Sequence, residues 1–502
     1  MKIIFILLAL AVGCISVAAA QSTGTFTPTG SMITARSQHT ATLLADGRVL
    51  LAGGANANGV LASAELYDPL TGVVVPTGDM TVGRVLHTAT LLPDGRVLIL
   101  GNDSTAEIYD PPTGTFTATG GMTTFYACNT TTLLADGKVL IVDDPYAFRR
   151  GSKDAQLYDP ISGSFLHTGT YASAELAELD RTLFPGAGGW DCPKATLLPN
   201  GKVLMVQGVF AELYDPHTGT FSLTGTQITL GNGFIKTVPP VWDDPSGATL
   251  LLNGMVLFEG GDGDLGPAVS AWLYDPSTGK FNATGSMATP RSNHTVTLLP
   301  DGTVLAAGGF KVGGYVDRDV GALGTAELYG PATGTFSGTG EMTTRRWNHT
   351  ATLLADGRVW IAGGTTGFYL NPGYSYLSST ELYNPAVLAP APVLYSLSGD
   401  GGAQGAIWHA TTGEIASPGK PAVAGETLSM YAANLADGGV VPPQVAVGGK
   451  LAEVLYFGGA PGYPGYNQVN FRLPSGAATG SAVPVRLTYL SRPSNEVPIG
   501  VH

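Results

Sequence analysis

The chain has 502 residues, with 70 glycines, 34 prolines and only 13% charged residues, so it is richer in turn formers and poorer in helix formers than an ordinary domain. A formal net charge of −13 with no run of Lys or Arg sets aside nucleic acid and anionic membrane surfaces, which require phosphate neutralisation by clustered cations.

Residues 1–20 read as a signal peptide: Lys2, an apolar run from Ile3 to Val12, and Ala18, Ala19 and Ala20 before Gln21. Cleavage after Ala20 is the main expectation. Cys14, preceded by Ala11, Val12 and Gly13, resembles a degenerate lipoprotein box and makes a lipid anchor the alternative. No later stretch is long and apolar enough to span a bilayer. The expected location is secreted, periplasmic or cell-surface.

From near residue 24 to near residue 385 one unit recurs: an HTATLL run, an Asp-Gly turn, an RVLLAGG run, then AELYD and GTFTPTG. A unit of short alternating apolar runs and Gly-rich turns cannot bury its own faces, so copies must stack. The four runs are taken as strands A to D, with A and B joined by tight hairpins at Asp46, Asp94, Asp136, Asn200, Asn253, Asp301 and Asp356, each followed by Gly. Seven turns predict seven blades. Strand B is apolar throughout, whereas C alternates, with Glu65 and Tyr67 on one face and Ala64, Leu66 and Asp68 on the other. The chain opens on a D strand, Gly24 to Met32, and its last unit stops after C at Asn384; the first strand is therefore expected to complete the last blade and close the ring.

The di-glycine ending B (Gly53 and Gly54, Gly308 and Gly309, Gly363 and Gly364), the recurring C-strand tyrosines from Tyr67 to Tyr383 and the D-strand aromatics from Phe26 to Phe336 resemble kelch repeats. That resemblance implies an all-β, seven-bladed kelch β-propeller over 21–388; it specifies architecture, not activity. Beyond the stiff Ala389-Pro390-Ala391-Pro392 segment, short alternating strands predict a small β-sandwich over 393–502, which is similar to the immunoglobulin-like carboxy-terminal modules of exported acidobacterial proteins.

Antiparallel connectivity puts the D–A and B–C loops on one rim, where sequence variation is concentrated. Ten residues before the A–B turn, four units carry Arg36, Arg84, Arg291 and Arg346, while three consecutive units carry Tyr126, Trp190 and Asp243. The D–A loops before Cys192 and Ser246 are also much longer than the others. Tyr126, Trp190, Asp191, Trp242, Asp243 and Asp244, with Arg149 on a nearby B–C loop, form the candidate ligand-binding set: aromatic planes beside carboxylates suit a sugar, and burial of the same aromatics as a plug is the alternative. His39, His87, His294 and His349 share one slot without a carboxylate in register, and are read as serving the repeat rather than a metal.

The same architecture is similar to the galactose oxidase family, and the segment at Cys192 resembles the strand that carries its thioether cysteine. That resemblance implies a copper radical site, but the slots for its tyrosine and its Tyr-His pair hold Pro245, Trp347 and Asn348, and the last domain offers His409 and His502. No catalytic set, metal or cofactor is expected. Cys128 and Cys192, each eight residues before its turn in adjacent units, are expected to form a disulfide. Asp262, Asp264, Asp317 and Asp319 lack a complete Ca²⁺ ligand pattern and read as solvated turns, and Tyr463 and Tyr466 as a packed loop. The leading functional expectation is a non-catalytic binding protein that contacts a glycan or protein at the cell surface. The alternatives are a carbohydrate-active enzyme, either an oxidase with altered ligands or a metal-free isomerase or lyase, and a structural scaffold.

Overall fold

The computed structural model describes residues 24–101, 103–122, 129–143, 154–173, 193–207, 210–229, 235–238, 246–263, 266–311, 321–367, 374–398, 403–435 and 440–502, and no helix occurs among them. All seven A–B turns share one construction. The glycine takes φ between 81° and 90°, at Gly201 and Gly95 respectively, a region closed to most side chains. The preceding Asp or Asn accepts the amide two residues on, from Asp46 with Arg48 at 3.0 Å to Asp356 with Arg358 at 3.0 Å.

Seven four-stranded antiparallel sheets follow, with A strands beginning at Thr40, Thr88, Asn129, Lys194, Gly247, Thr295 and Thr350. We number the blades in that order. The seventh is built from Thr350–Leu353, Val359–Ala362 and Ser379–Asn384 plus the first strand of the chain, Thr25–Ser31. Phe26 lies opposite Tyr383 and Pro28 opposite Glu381, and Pro28 costs nothing there because it occupies an outer edge. The ring is thus closed by its own amino terminus, as the repeat pattern implies.

Blades meet through their buried tyrosines. Tyr109, Tyr158, Tyr214, Tyr274, Tyr329 and Tyr383 each share a hydrogen bond of 2.8–3.1 Å with a threonine in or just past the D strand of the preceding blade. At the remaining seam Tyr67 stacks on Trp360 of blade seven, with ring centroids 3.9 Å apart and planes 2° from parallel. The di-glycine is required by the same seams. A Cβ at Gly53 would lie 2.6 Å from the Arg84 carbonyl and 2.9 Å from both His87 and Met80 of the next blade, and Gly260, Gly308 and Gly363 face equivalent contacts.

Strand C departs from the alternation read in the sequence: Ala64, Glu65, Leu66 and Tyr67 are all buried. Glu65 enters the interior because Arg36 meets it there at 2.6 Å, while its two oxygens also accept the amides of Ile33 and Thr34. Arg36 in turn donates to the carbonyls of Gly53 and Ser63. Arg84 with Glu107, Arg291 with Glu327 and Arg346 with Glu381 repeat the clamp at 2.7–2.8 Å. In blades one, six and seven the arginine pins the crossover that enters its blade to the end of B and the start of C, whereas Arg84 in blade two bonds Asp103, Thr105 and Glu107.

The carboxy-terminal domain is a bent, nearly closed β-sandwich around its own core. One path of neighbours runs through Val393–Leu394, Thr427–Ala433, Asn467–Arg472, Lys450–Gly459, Gln444–Val447, Gly480–Tyr489 and Arg492–Val501, with Ile407–His409 added beside Thr427–Ala433. The Asn495 side chain joins its edges, accepting the Leu394 amide at 2.8 Å and donating to the Leu394 carbonyl at 3.0 Å. The domain docks on the A–B turns: Arg486 donates to the Pro93 carbonyl, Val440 to that of Leu252, and the buried Arg492 to those of Ala389 and Pro390. Contacts on blades two and five and at the exit of blade seven place it across that mouth of the central hole.

Removing one member of a buried ion pair leaves the other charge unpaired, a loss of about 3–5 kcal/mol. Arg346→Ala should therefore lower stability by that amount in chemical denaturation, whereas Arg48→Ala, which breaks only the exposed pair with Asp46, should cost under about 1 kcal/mol.

Candidate functional site

With one mouth covered by the second domain, the opposite face, where the A strands begin, holds a cavity of about 250 Å³. Its floor includes His39, His294 and His349, and its walls include Gln38, Asn293, Asn348, Ser246, Lys194 and Leu86. Gln38, Leu86, Asn293 and Asn348 occupy one slot of the repeat and are left-handed, with φ between 50° and 53°, a conformation that non-glycine residues adopt with strain. Their backbones form a collar: the amide of Asn348 donates to the Asn293 carbonyl, that of Gln38 to Asn348, and that of Leu86 to Gln38. The collar turns three amide side chains and one leucine toward the opening. Short two-stranded ribbons of the B–C loops stand around it, among them Ala55–Asn56 with Gly59–Val60 and Thr365–Thr366 with Ser375–Tyr376.

The histidines behave as repeat residues in three of four cases. Nε2 of His87, His349 and His39 shares a hydrogen bond of 3.0–3.1 Å with Thr40, Thr295 and Thr350 of the preceding blade. Burial and the neighbouring arginines keep these imidazoles uncharged, with His87 held down to about 4.

His294 is different. The threonine that should serve it is Gly247, and the small residue that precedes the di-glycine elsewhere, Ala52, Ala307 or Ala362, is here Glu259. The Glu259 carboxyl fills the space that the missing threonine leaves, with Oε1 3.6 Å from His294 Nε2. Both side chains are fully buried, and among the described residues neither carboxyl oxygen nor either ring nitrogen makes a hydrogen bond of good geometry. Burial pushes the Glu259 carboxyl well above the usual carboxylate range, while burial and then Arg291 push His294 down to about 3. The pair is therefore a neutral acid beside a neutral base, at a separation beyond hydrogen-bonding distance. One histidine thus has a carboxyl group beside it, supplied by strand B of the adjacent blade rather than in register with it.

The sequence-derived binding set, Tyr126, Arg149, Trp190, Asp191, Trp242, Asp243 and Asp244, lies outside the described residues, as do Cys128, Cys192 and Pro245. Of the residues next to these segments in the chain, Lys194 and Ser246 line the cavity. The same three blades have lost the Arg–Glu clamp. Gln156 and Trp272 replace the glutamate in blades three and five, and in blade four Ser173 stands in for the arginine, donating to Glu212, whose carboxyl is raised by burial. Sequence reasoning passed over Glu259 and the collar. The first had a signal, FEGG where the other di-glycine units read LAGG, AAGG and IAGG; the second had none, because Gln, Leu and Asn share no chemistry that marks a backbone angle.

The chain matches no protein-family model and no curated protein. Among solved structures it is similar to a fungal alcohol oxidase of the AA5 family in complex with copper, with a TM-score of 0.59 and 16% identity over 96% of this chain and 100% of that one. The chain has a galactose oxidase-like propeller fold. At that identity the likeness extends to architecture alone. The described residues do not fit a copper site of the kind the resemblance implies: Trp347 packs on Phe310 and donates Nε1–H to the Gly367 carbonyl, Asn348 belongs to the collar, and His409 is held by Glu426 and the Lys420 carbonyl.

The unfolded chain binds protons at its histidines below about 6.5, whereas the folded chain leaves His87 neutral to about 4 and His294 to about 3; stability is therefore full above about 6.5 and drains away as pH falls toward those values. Glu259 has the opposite sign, since its raised folded value makes stability fall as pH rises above the ordinary carboxylate range. Glu259→Gln should accordingly raise the melting temperature at pH 7 and change it little at pH 4, measured by calorimetry.

Proposed function

We propose that the chain is an exported recognition protein whose propeller takes the end of a neutral glycan, or another small polyol, into the cavity at its open mouth. The observation that carries this reading is the chemistry of the wall. Gln38, Asn293 and Asn348 offer both donors and acceptors, Ser246 adds a hydroxyl, and the imidazoles of the floor are uncharged. Lys194, the one cationic side chain of the wall, already interacts with another group, so the remaining lining suits hydroxyl groups better than an ion. The aromatic and acidic residues of the long loops, Trp190, Trp242, Asp191 and Asp243, extend that chemistry along the ligand.

A second reading, an enzyme acting on a sugar or alcohol, is favoured by the Glu259–His294 pair, because perturbed titratable groups beside a cavity are candidates for proton transfer. Metal analysis with a peroxide-release screen on alcohols and aldehydes separates it from the binder.

Glycan-array binding followed by calorimetric titration of the best ligand tests the leading proposal. Asn348→Ala and Trp242→Ala should each weaken binding by about 1–3 kcal/mol, the loss expected when a buried polar contact or a stacking plane is removed. Absence of any glycan ligand, or affinity unchanged in both variants, would rule it out.

A further inference from the structure

We infer that the outer face of the carboxy-terminal sheet is a second binding site, for a neutral polysaccharide chain, distinct from the propeller cavity. In Thr427–Ala433 the residues Leu428, Met430 and Ala432 face the core, leaving Ser429 and Tyr431 on the other side; in Asn467–Arg472, Val469 and Phe471 face in, leaving Gln468 and Asn470 out. Register brings the outward residues into rows: Trp408 opposite Ser429, Ser429 opposite Asn470, and Tyr431 opposite Gln468.

The aromatic members touch one another. Trp408 and Tyr431 meet edge to face with centroids 5.3 Å apart, and Tyr431 lies 5.8 Å from Tyr463, which is 59% exposed. The sequence reading of Tyr463 as a packed loop residue is therefore half right: its ring has neighbours, but most of its surface faces water. The core of the domain lies on the other face of the sheet and gains nothing from these rings.

Beside them is a fixed polar group. Ser429 donates to Asn470 Oδ1 at 2.5 Å, and Gln468 Nε2 donates to Ser429 Oγ at 3.2 Å and to Asn470 Oδ1 at 2.9 Å. This bonding orients both amides and leaves Asn470 Nδ2 as a donor and Gln468 Oε1 as an acceptor without a protein partner among the described residues. Arg472 and Glu453, at the end of the same rows, pair with each other at 3.2 Å. Rings that stack on the C–H faces of a pyranose, an oriented donor and acceptor for its hydroxyls, and no net charge together specify an uncharged sugar chain lying across strands spaced about 4.8 Å apart.

Affinity electrophoresis of the full chain through gels containing xylan, galactomannan or a soluble β-glucan tests this, with insoluble cellulose pull-down alongside. The expected result is retardation in, or capture by, at least one of these polysaccharides, weakened about tenfold by Tyr463→Ala, the equivalent of one stacking contact. Trp408→Ala should weaken it similarly, and Asn348→Ala in the propeller cavity should leave it unchanged. Tyr463 sits on an exposed turn, so its substitution reads binding rather than folding, which the melting temperature checks. No retention on any of the four, or retention that survives Tyr463→Ala, or retention abolished by Asn348→Ala alone, overturns the proposal.

Discussion

The pairing of Thr25–Ser31 with Ser379–Asn384 is the constraint on which the remaining structure depends. A kelch unit is a sheet with two apolar faces, and every face is covered by a neighbouring unit. In an open row the first and last copies would each expose one. Closure removes both, and it does so with a strand from the far end of the sequence, so that each seam is held by the geometry of the whole ring. The tyrosine–threonine bonds, the Tyr67–Trp360 stack and the histidines set above the first glycine of each di-glycine are repetitions of one joint that closure makes possible.

Where the joint is kept, the rim is short and regular; where it is altered, the chain has room for other chemistry. Blades three to five have given up the arginine–glutamate clamp that pins each crossover, and the two long loops enter blades four and five. At the seam between blades five and six the usual Thr–His bond is replaced by a glycine and a glutamate, which among the described residues leaves two polar groups unsatisfied. A buried unsatisfied pair costs about 1–3 kcal/mol per group, a departure from local consistency of the sort that proteins tolerate at functional positions. The second domain completes the arrangement by covering the turn face, so the open mouth, the collar and the irregular blades all address the same side.

Much of the architecture was legible in the residues. The Asp-Gly turns gave the blade count, the stray D strand before the first unit gave the closure, and the tyrosines and di-glycines gave the repeat its identity. Less of the site was legible, for physical reasons. The C-strand glutamates look like surface residues until their arginines, distant in sequence, are brought beside them. The collar depends on a left-handed backbone shared by Gln38, Leu86, Asn293 and Asn348, which no side-chain pattern announces. Glu259 is meaningful only beside Gly247 and His294, and that relation between strands of two blades appears once the ring is assembled.

Native-state hydrogen exchange read at single amides tests the closure most directly. If the ring is sealed by its first strand, the amides of Thr25 and Thr27 and those of Leu382 and Asn384 exchange together, with the same dependence on denaturant as the strands of blade six. Rapid exchange at Thr25 and Thr27 while blade seven stays protected would show that the ring holds without them, and would contradict the account.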